Sequence, residues 1–436
     1  MLAIKYKQLF NQCFTYFSKS SIMGLRVISI CSSASVLGYM MLRREANCVS
    51  KSDSVQQVPS EFDLKLVQIV FRHGARTPLF IPKYLPKVLY PDDILQHPQH
   101  TFVPFNTLRP DGKPYEGYKL HLTKGKFLGN LTTTGAEQMY RLGCSIRQKY
   151  VNELNFLKPE ISDEVNVRST EIPRAIESAR STLAGLFPGT KAPISIEVAP
   201  VDEDYMFPNF NKCHYLKLLS RWAWVEPDLL HEMKDKRERI ELAYNISSEE
   251  KVHIVTLRDC IVAHKEHGVL PANYDIPVVN NELENAALEI MHHVFAGTKE
   301  TRNLALKLGI GPLIGTVLSN ISSCINRQCH KKLYLFSGHD TTLMPLMQAF
   351  GITDFEWPPF AADITIELYE KKESGEQFIR ILYLGKARKV SGCTDTLCPL
   401  EQFKKSMSKF IMDKNEYAKQ CAVKNDKLLQ SLPKVQ

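Results

Sequence analysis

After its first 45 positions this 436-residue chain has no run of 18 or more uncharged apolar residues, so its body is not expected to carry a membrane-spanning helix. Internal repeats and low-complexity tracts are absent too, which excludes a solenoid. Acidic residues are missing from residues 1–44, which hold Lys5, Lys7, Lys19, Arg26, Arg43 and Arg44. The remainder has 49 basic against 47 acidic residues, so the formal net charge of +8 belongs mostly to that leader. A nucleic-acid-binding surface on the body is therefore not called for. Eleven cysteines are too few for a disulfide scaffold. The close pairs Cys324/Cys329 and Cys393/Cys398 lack a second pair with histidines at zinc-finger spacing, which argues against structural zinc. Local disulfides stay open, depending on the compartment.

What is present begins with the leader. Residues 1–45 are basic and serine-rich, a composition that fits a mitochondrial transit peptide. Their second half, VISICSSASVLGYMML, also suits a secretory signal, a short anchor or an unstructured N-terminus. Behind it, three segments read as strand, turn and helix. Lys65–Phe71 is an apolar strand. Val165–Arg168 leads to a helix from Pro173 to about Phe187, with proline suited to the first turn. Leu333–Phe336 leads to a helix that Thr341 or Thr342 caps and that ends before Gly351. Another helix opens at a Thr134/Glu137 capping box, with Met139, Leu142 and Ile146 as its core stripe.

Alternating strands and helices predict an α/β fold with a central mixed sheet flanked by helices. The run ADITIELYEKKESGEQFIRILYLG adds an antiparallel hairpin around a Glu-Ser-Gly-Glu turn. Residues 80–122 are proline- and aromatic-rich and read as loop. Residues 205–320 are rich in helix formers, anchored by Trp222 and Trp224, and read as a helical cap inserted in the catalytic domain. The expected organisation is a targeting segment at 1–45, a discontinuous α/β domain at 62–204 and 321–420, and the cap at 205–320.

Ligands of open α/β sheets bind beyond the carboxyl ends of the strands. Three such ends here carry charge: Arg72-His73 with Arg76, Arg168, and His339-Asp340. If the strands are neighbours, three arginines and two histidines meet, and guanidinium forks match a phosphate well. A neutral imidazole can attack phosphorus, and nearby arginines keep it neutral while holding the equatorial oxygens. Asp340 can supply the leaving group's proton if it starts protonated, so activity is expected to favour low pH, with no metal or other cofactor.

These motifs resemble the histidine acid phosphatase branch of the histidine phosphatase superfamily. RHGARTP and GHD carry the likeness, supported in order by LTTTGAEQMYRLG, VRST, LAGLFPG and CPLEQF, over roughly residues 65–410. The phosphoglycerate mutase branch usually has glutamate after Arg-His-Gly, where this chain has Ala75. The resemblance implies that His73 is the phosphorylated nucleophile, that Arg72, Arg76, Arg168 and His339 bind the phosphoryl group, and that Asp340 donates the proton. It also implies an α/β domain under a smaller, mainly helical cap, and, from secreted relatives, pairing of Cys393 with Cys398. The segments GKPYEGYKLHLTKGKFLGNLTTTG and WPPFAADITIELYE further resemble mitochondrial members that hydrolyse lysophosphatidic acid to monoacylglycerol and phosphate. The expected partner is a lysophospholipid or another phosphomonoester, met by a monomer through peripheral membrane contact. The alternatives are a secreted or lysosomal acid phosphatase of broad specificity and a non-catalytic binder of anionic lipid headgroups.

Other features read more plainly. His97, His100, His264, His267, His292 and His293 are expected to be surface or core histidines, since no ligand pattern accompanies them. Asn130, Asn245 and Asn320 begin sequons that matter only on a secretory route. The aromatics between Phe80 and Tyr118 suit either an acyl-chain groove or loop packing.

Overall fold

The computed structural model describes residues 58–116, 127–250, 252–352, 356–424, 427–430 and 432–433. The leader with Cys13, Cys31 and Cys48, and residues 117–126 of the long loop, lie outside the described residues.

Strand β1 (Phe62–Arg72) is buried through its last seven residues. A strand covered on both faces reads as a continuous apolar run, which is why Leu66–Phe71 shows little alternation. It lies in the middle of a mixed sheet. On one side come β5 (Leu333–Gly338), then β3 (Val165–Thr170), β4 (Ile194–Ala199) and the edge strand β2 (Phe105–Leu108), each parallel to its neighbour. On the other side the sheet is antiparallel: β6 (Asp363–Lys371), β7 (Gln377–Tyr383), β8 (Lys386–Arg388) and β9 (Leu397–Pro399), the last two both pairing with β7. The α/β class and the added hairpin are as expected. Strands β2 and β4 are additions to the sequence reading. Four residues inside a proline-rich stretch carry too little pattern to stand out, and β2 forms because β4 offers it a parallel partner.

Helices α1 (Thr133–Arg147) and α2 (Pro173–Leu186) pack against each other beside the parallel half. Helix α1 starts at an N-cap two residues earlier than the predicted box. The Thr132 hydroxyl accepts the Gly135 N–H at 3.2 Å while its own N–H donates to the Ala75 carbonyl at 3.0 Å, so the motif loop fixes this end. Between β4 and β5 the described residues hold helices and no strand: α3 (His214–Val225), α4 (Met233–Ala243), α5 (Ile254–Glu266), α6 (Pro277–Ala296), α7 (Arg302–Gly309) and α8 (Gly311–Ile325). Helices α3 to α6 share an apolar cluster that includes Trp222, Ile240, Leu257, Ile290 and Phe295, and that Met344 and Trp357 join. Trp224 is exposed, so Trp222 alone is the anchor there. A second cluster packs α8, α9 (Asp340–Phe350) and α10 (Leu400–Met407) on the sheet through Ile314, Phe336, Phe350, Ile364 and Phe403. Cys393 and Cys398 are disulfide-bonded, and Cys213 is joined to Cys421 at the end of α11 (Lys414–Cys421). Among the described residues no single helix is long and apolar enough to cross a membrane.

Candidate active site

The carboxyl ends of β3, β5 and β1 lie side by side, with Arg72 paired to Gly338 and Ser169 to Ser337. The chain turns out of β1 at His73, whose N–H donates to the Gly338 carbonyl at 3.0 Å. Gly74 follows where α1 comes closest. A Cβ there would sit 2.2 Å from the Gly135 carbonyl oxygen, and one on Gly135 would sit 2.1 Å from that of Ala75, so neither position admits a side chain. This contact holds the loop while Gly74 N–H donates to Ser178 Oγ and Ala75 N–H to Gln138 Oε1.

Four of the expected residues converge directly. His73 and His339 are both buried, with ring centroids 5.3 Å apart. The ring of His73 has its Nδ1 2.8 Å from the Gly74 carbonyl oxygen. A carbonyl only accepts, so Nδ1 carries the hydrogen and Nε2 keeps its lone pair. His339 caps α9, in place of the threonines expected there; Thr342 instead accepts the His339 N–H at 3.1 Å. His339 Nε2 meets the Thr170 hydroxyl at 2.9 Å, and its buried Nδ1 has no protein partner. Arg72 spans the centre: Nη2 is 2.9 Å from Asp340 Oδ2, Nη1 donates to the Pro358 carbonyl, and the guanidinium lies 4.2 Å over the Phe360 ring.

Arg76 is also buried, but not free of acids as its sequence surroundings suggest. Asp259 on α5 accepts from Arg76 Nη2 at 2.5 Å and Nη1 at 3.3 Å, and from the Leu79 N–H at 3.0 Å. Nothing local points to Asp259, which lies 183 residues from Arg76.

Arg168 is the exception. Its strand runs two residues further than expected, to Thr170, and its register sets Arg168 beside Glu197 on β4. Its Nη1 pairs with Glu197, Nη2 lies 3.7 Å from Asp204, and the guanidinium stacks 4.1 Å over Tyr205, leaving only Nε without a partner. The third guanidinium acting on the two imidazoles is Arg174, in the first turn of α2, with its Nη1 3.4 Å from the Gly129 carbonyl oxygen. The sequence contained the signal, an arginine one residue behind the helix-opening Pro173, in the same VRSTEIPR run.

The electrostatics follow from burial and this crowding. Burial, then Arg174, Arg72, His339 and Arg76, push the His73 imidazole well below its ordinary range, so it is neutral. His339 is pushed down likewise, by burial and Arg174 against the opposing pull of Asp340. Burial with like-charged neighbours lowers Arg174 to about 9, and Arg72, despite Asp340, to about 10. Burial alone would raise the Asp340 carboxyl; Arg72, Arg76 and the Trp357 N–H outweigh it and hold it below the usual carboxylate range. Three guanidiniums thus face two carboxylates and two neutral imidazoles. Nε of Arg72, Arg76 and Arg174 and Nδ1 of His339 have no protein partner, a donor set suited to a tetrahedral oxyanion.

A family profile described as the histidine phosphatase superfamily (branch 2) matches residues 63–216 and 274–384. The chain belongs to this family. It is 34% identical over 409 residues to lysophosphatidic acid phosphatase type 6 of Homo sapiens, covering 88% of this chain and 93% of that protein. It is 25% identical to prostatic acid phosphatase of Bos taurus, over 84% and 89% of the two chains. A phytase from D. castellii shares the fold, with a TM-score of 0.58 at 17% identity and coverage of 86% and 85%. Its family and these relatives make this histidine phosphatase a phosphomonoesterase.

Proposed function

We propose that the enzyme hydrolyses lysophosphatidic acid through a phosphohistidine on His73. The observation that carries the mechanism is the Nδ1 contact with Gly74, which turns an unprotonated Nε2 towards the site. In this reading Nε2 attacks phosphorus in line, the N–P bond forms, and the P–O bond to the leaving alkoxide breaks. Arg72, Arg76, Arg174 and His339 hold the phosphoryl oxygens as charge builds on them. Asp340 gives the alkoxide its proton, then as carboxylate takes one from the water that cleaves the N–P bond, releasing phosphate. Arg168 is assigned to holding β3 against β4, in place of phosphate binding.

The free enzyme keeps Asp340 ionised, so its proton must arrive with the substrate. A phosphomonoester has a second pKa of about 6, and below it the monoanion brings a proton to a site whose Arg72 then turns to the phosphate. Activity that favours acidic conditions follows, with the cause shifted from the resting carboxyl to the substrate. Decisive for the mechanism is His73→Ala incubated with radiolabelled lysophosphatidic acid. The labelled phosphoprotein formed by wild type on acid-free quenching should vanish along with turnover; turnover near the wild-type rate would rule the mechanism out.

The lipid substrate is supported by the relative's name and by an exposed apolar rim beside Arg76. Leu79 and Phe80 are about half exposed and Leu128 nearly so, and Leu79 packs on Gly129. We read this rim as the peripheral membrane contact of a monomer, with residues 205–320 as the cap over the site. Phosphate release across lysophosphatidic acids, phosphatidic acid and inositol phosphates tests it: a preference for the inositol phosphates would overturn the lipid reading. For location, the leader supports mitochondrial import. The disulfides Cys213–Cys421 and Cys393–Cys398 favour a secretory route instead, since such bonds persist in oxidising compartments. Glycans on Asn130 or Asn245 of the native protein would decide for the secretory route.

A further inference from the structure

Asp340 is held through both carboxylate oxygens. Oδ1 accepts the Thr341 N–H at 2.8 Å, while Oδ2 accepts the Trp357 indole N–H at 2.9 Å and faces Arg72. Trp357 is buried, and Arg258 on α5 lies 4.0 Å over its ring. Arg258 is clamped in turn by Glu284 on α6, through Nε at 2.7 Å and Nη2 at 2.8 Å. A continuous set of contacts thus runs from the helices between β4 and β5 to the carboxylate at the carboxyl end of β5.

We propose that Trp357 is the positioning residue for Asp340, and that the Arg258–Glu284 pair sets the ring that does it. This rests on the reading of Asp340 as proton donor. With Oδ1 tied to the backbone, the indole N–H fixes the rotation of the carboxyl and leaves Oδ2 towards Arg72 and the phosphoryl group. An indole is a donor without an acceptor, so it orients the carboxyl without taking the proton. Its charged neighbour Arg258 cannot swing away while Glu284 grips it through a fork. Trp357 also packs in the apolar cluster of α3 to α6, so the same ring couples those helices to the acid.

The other groups bearing on Asp340 are Arg72 and Arg76 at the end of β1, Arg174 on α2, His339 beside it, and Asp259 on α5. The indole hydrogen bond favours the ionised carboxyl, so losing it makes Asp340 easier to protonate. Trp357→Phe keeps a ring under Arg258 and removes the N–H. Steady-state kinetics on lysophosphatidic acid and p-nitrophenyl phosphate, across the acidic to neutral range, read the consequence. The aryl leaving group needs no proton, so the ratio of aryl to alkyl turnover should rise about tenfold, in kcat more than KM. The alkaline limb of the alkyl profile, set by the second pKa of the substrate's phosphate, should stay in place. Equal losses on both substrates would overturn the inference, provided Asp340→Asn, assayed in parallel, still loses more on the alkyl substrate. If Asp340→Asn loses equally on both, the acid role fails and the positioning role with it. Glu284 is partly exposed, so Glu284→Gln tests the linkage without disturbing the buried ring. It should move the ratio the same way, and a ratio within about twofold of wild type overturns the role of the Arg258–Glu284 pair.

Discussion

Arg168 and Arg174 lie six positions apart, and only one is assigned to the phosphoryl group, so exchanging each for methionine separates the two roles. Arg174 bears on both imidazoles and has an unpartnered Nε. If its fork gives two charge-assisted hydrogen bonds to the phosphoryl oxygens, at about 1.5–3 kcal/mol each, their loss removes about 3–6 kcal/mol of transition-state stabilisation. That is about 10²- to 10⁴-fold in kcat/KM. Removing the same charge raises the His73 pKa, because Arg174 is what most lowers it after burial. The acid limb of the profile should therefore move up, and the loss should be largest at low pH. Arg168→Met removes the cation that, among the described residues, pairs with fully buried Asp204, along with the pair to Glu197. Burial already pushes the Asp204 carboxyl up. The cost should be about 3 kcal/mol of stability, at the low end for a buried pair because Glu197 is partly exposed. Urea unfolding measures it, while kcat/KM stays within about threefold. The converse pattern, an inactive Arg168→Met of normal stability beside an active Arg174→Met, would refute the assignment.

Two further predictions rest on burial and connectivity. His73 and His339 stay neutral in the fold, whereas the unfolded chain protonates both near pH 6.5. Stability of the free enzyme should then fall as pH drops below about 6.5, with these two sites contributing a slope approaching 2.7 kcal/mol per pH unit. Asp340, whose folded pKa is depressed, adds stability that is present above about pH 3.9 and is lost only below it, so it does not mask the window. Urea midpoints against pH should show His73→Asn losing about half of that contribution; an unaltered slope would contradict the neutral imidazole. The Cys213–Cys421 bond closes a loop of 208 positions and Cys393–Cys398 one of 5. The chain-entropy relation gives about 5 and about 2 kcal/mol, so the Cys213→Ser/Cys421→Ser double variant should lose more in equilibrium unfolding than Cys393→Ser/Cys398→Ser. Equal losses would mean that the long loop is already constrained in the unfolded chain.

By itself the sequence determined the α/β class, the strands that carry Arg72-His73 and His339-Asp340, and the family. Each is a local signal: an apolar run ended by a charged turn, a proline at a helix start, a short motif in order. What the structure arranges differently, or the sequence left out, depends on register and distant neighbours. Arg168 looked like a strand-end ligand because its sequence does not reveal where β3 stops or that Glu197 lies across from it. Arg174 had its signal one residue past Pro173, but which arginine reaches the imidazoles depends on how α2 leaves the sheet. Asp259, Trp357 and the Arg258–Glu284 pair come from segments far apart in the chain, and their partnership with Arg76 and Asp340 exists only once the helices close over the carboxyl ends of the central strands. The protonation states are tertiary too. A histidine between arginines is visible in the sequence, but burial is the largest influence on His73, and only packing removes it from water.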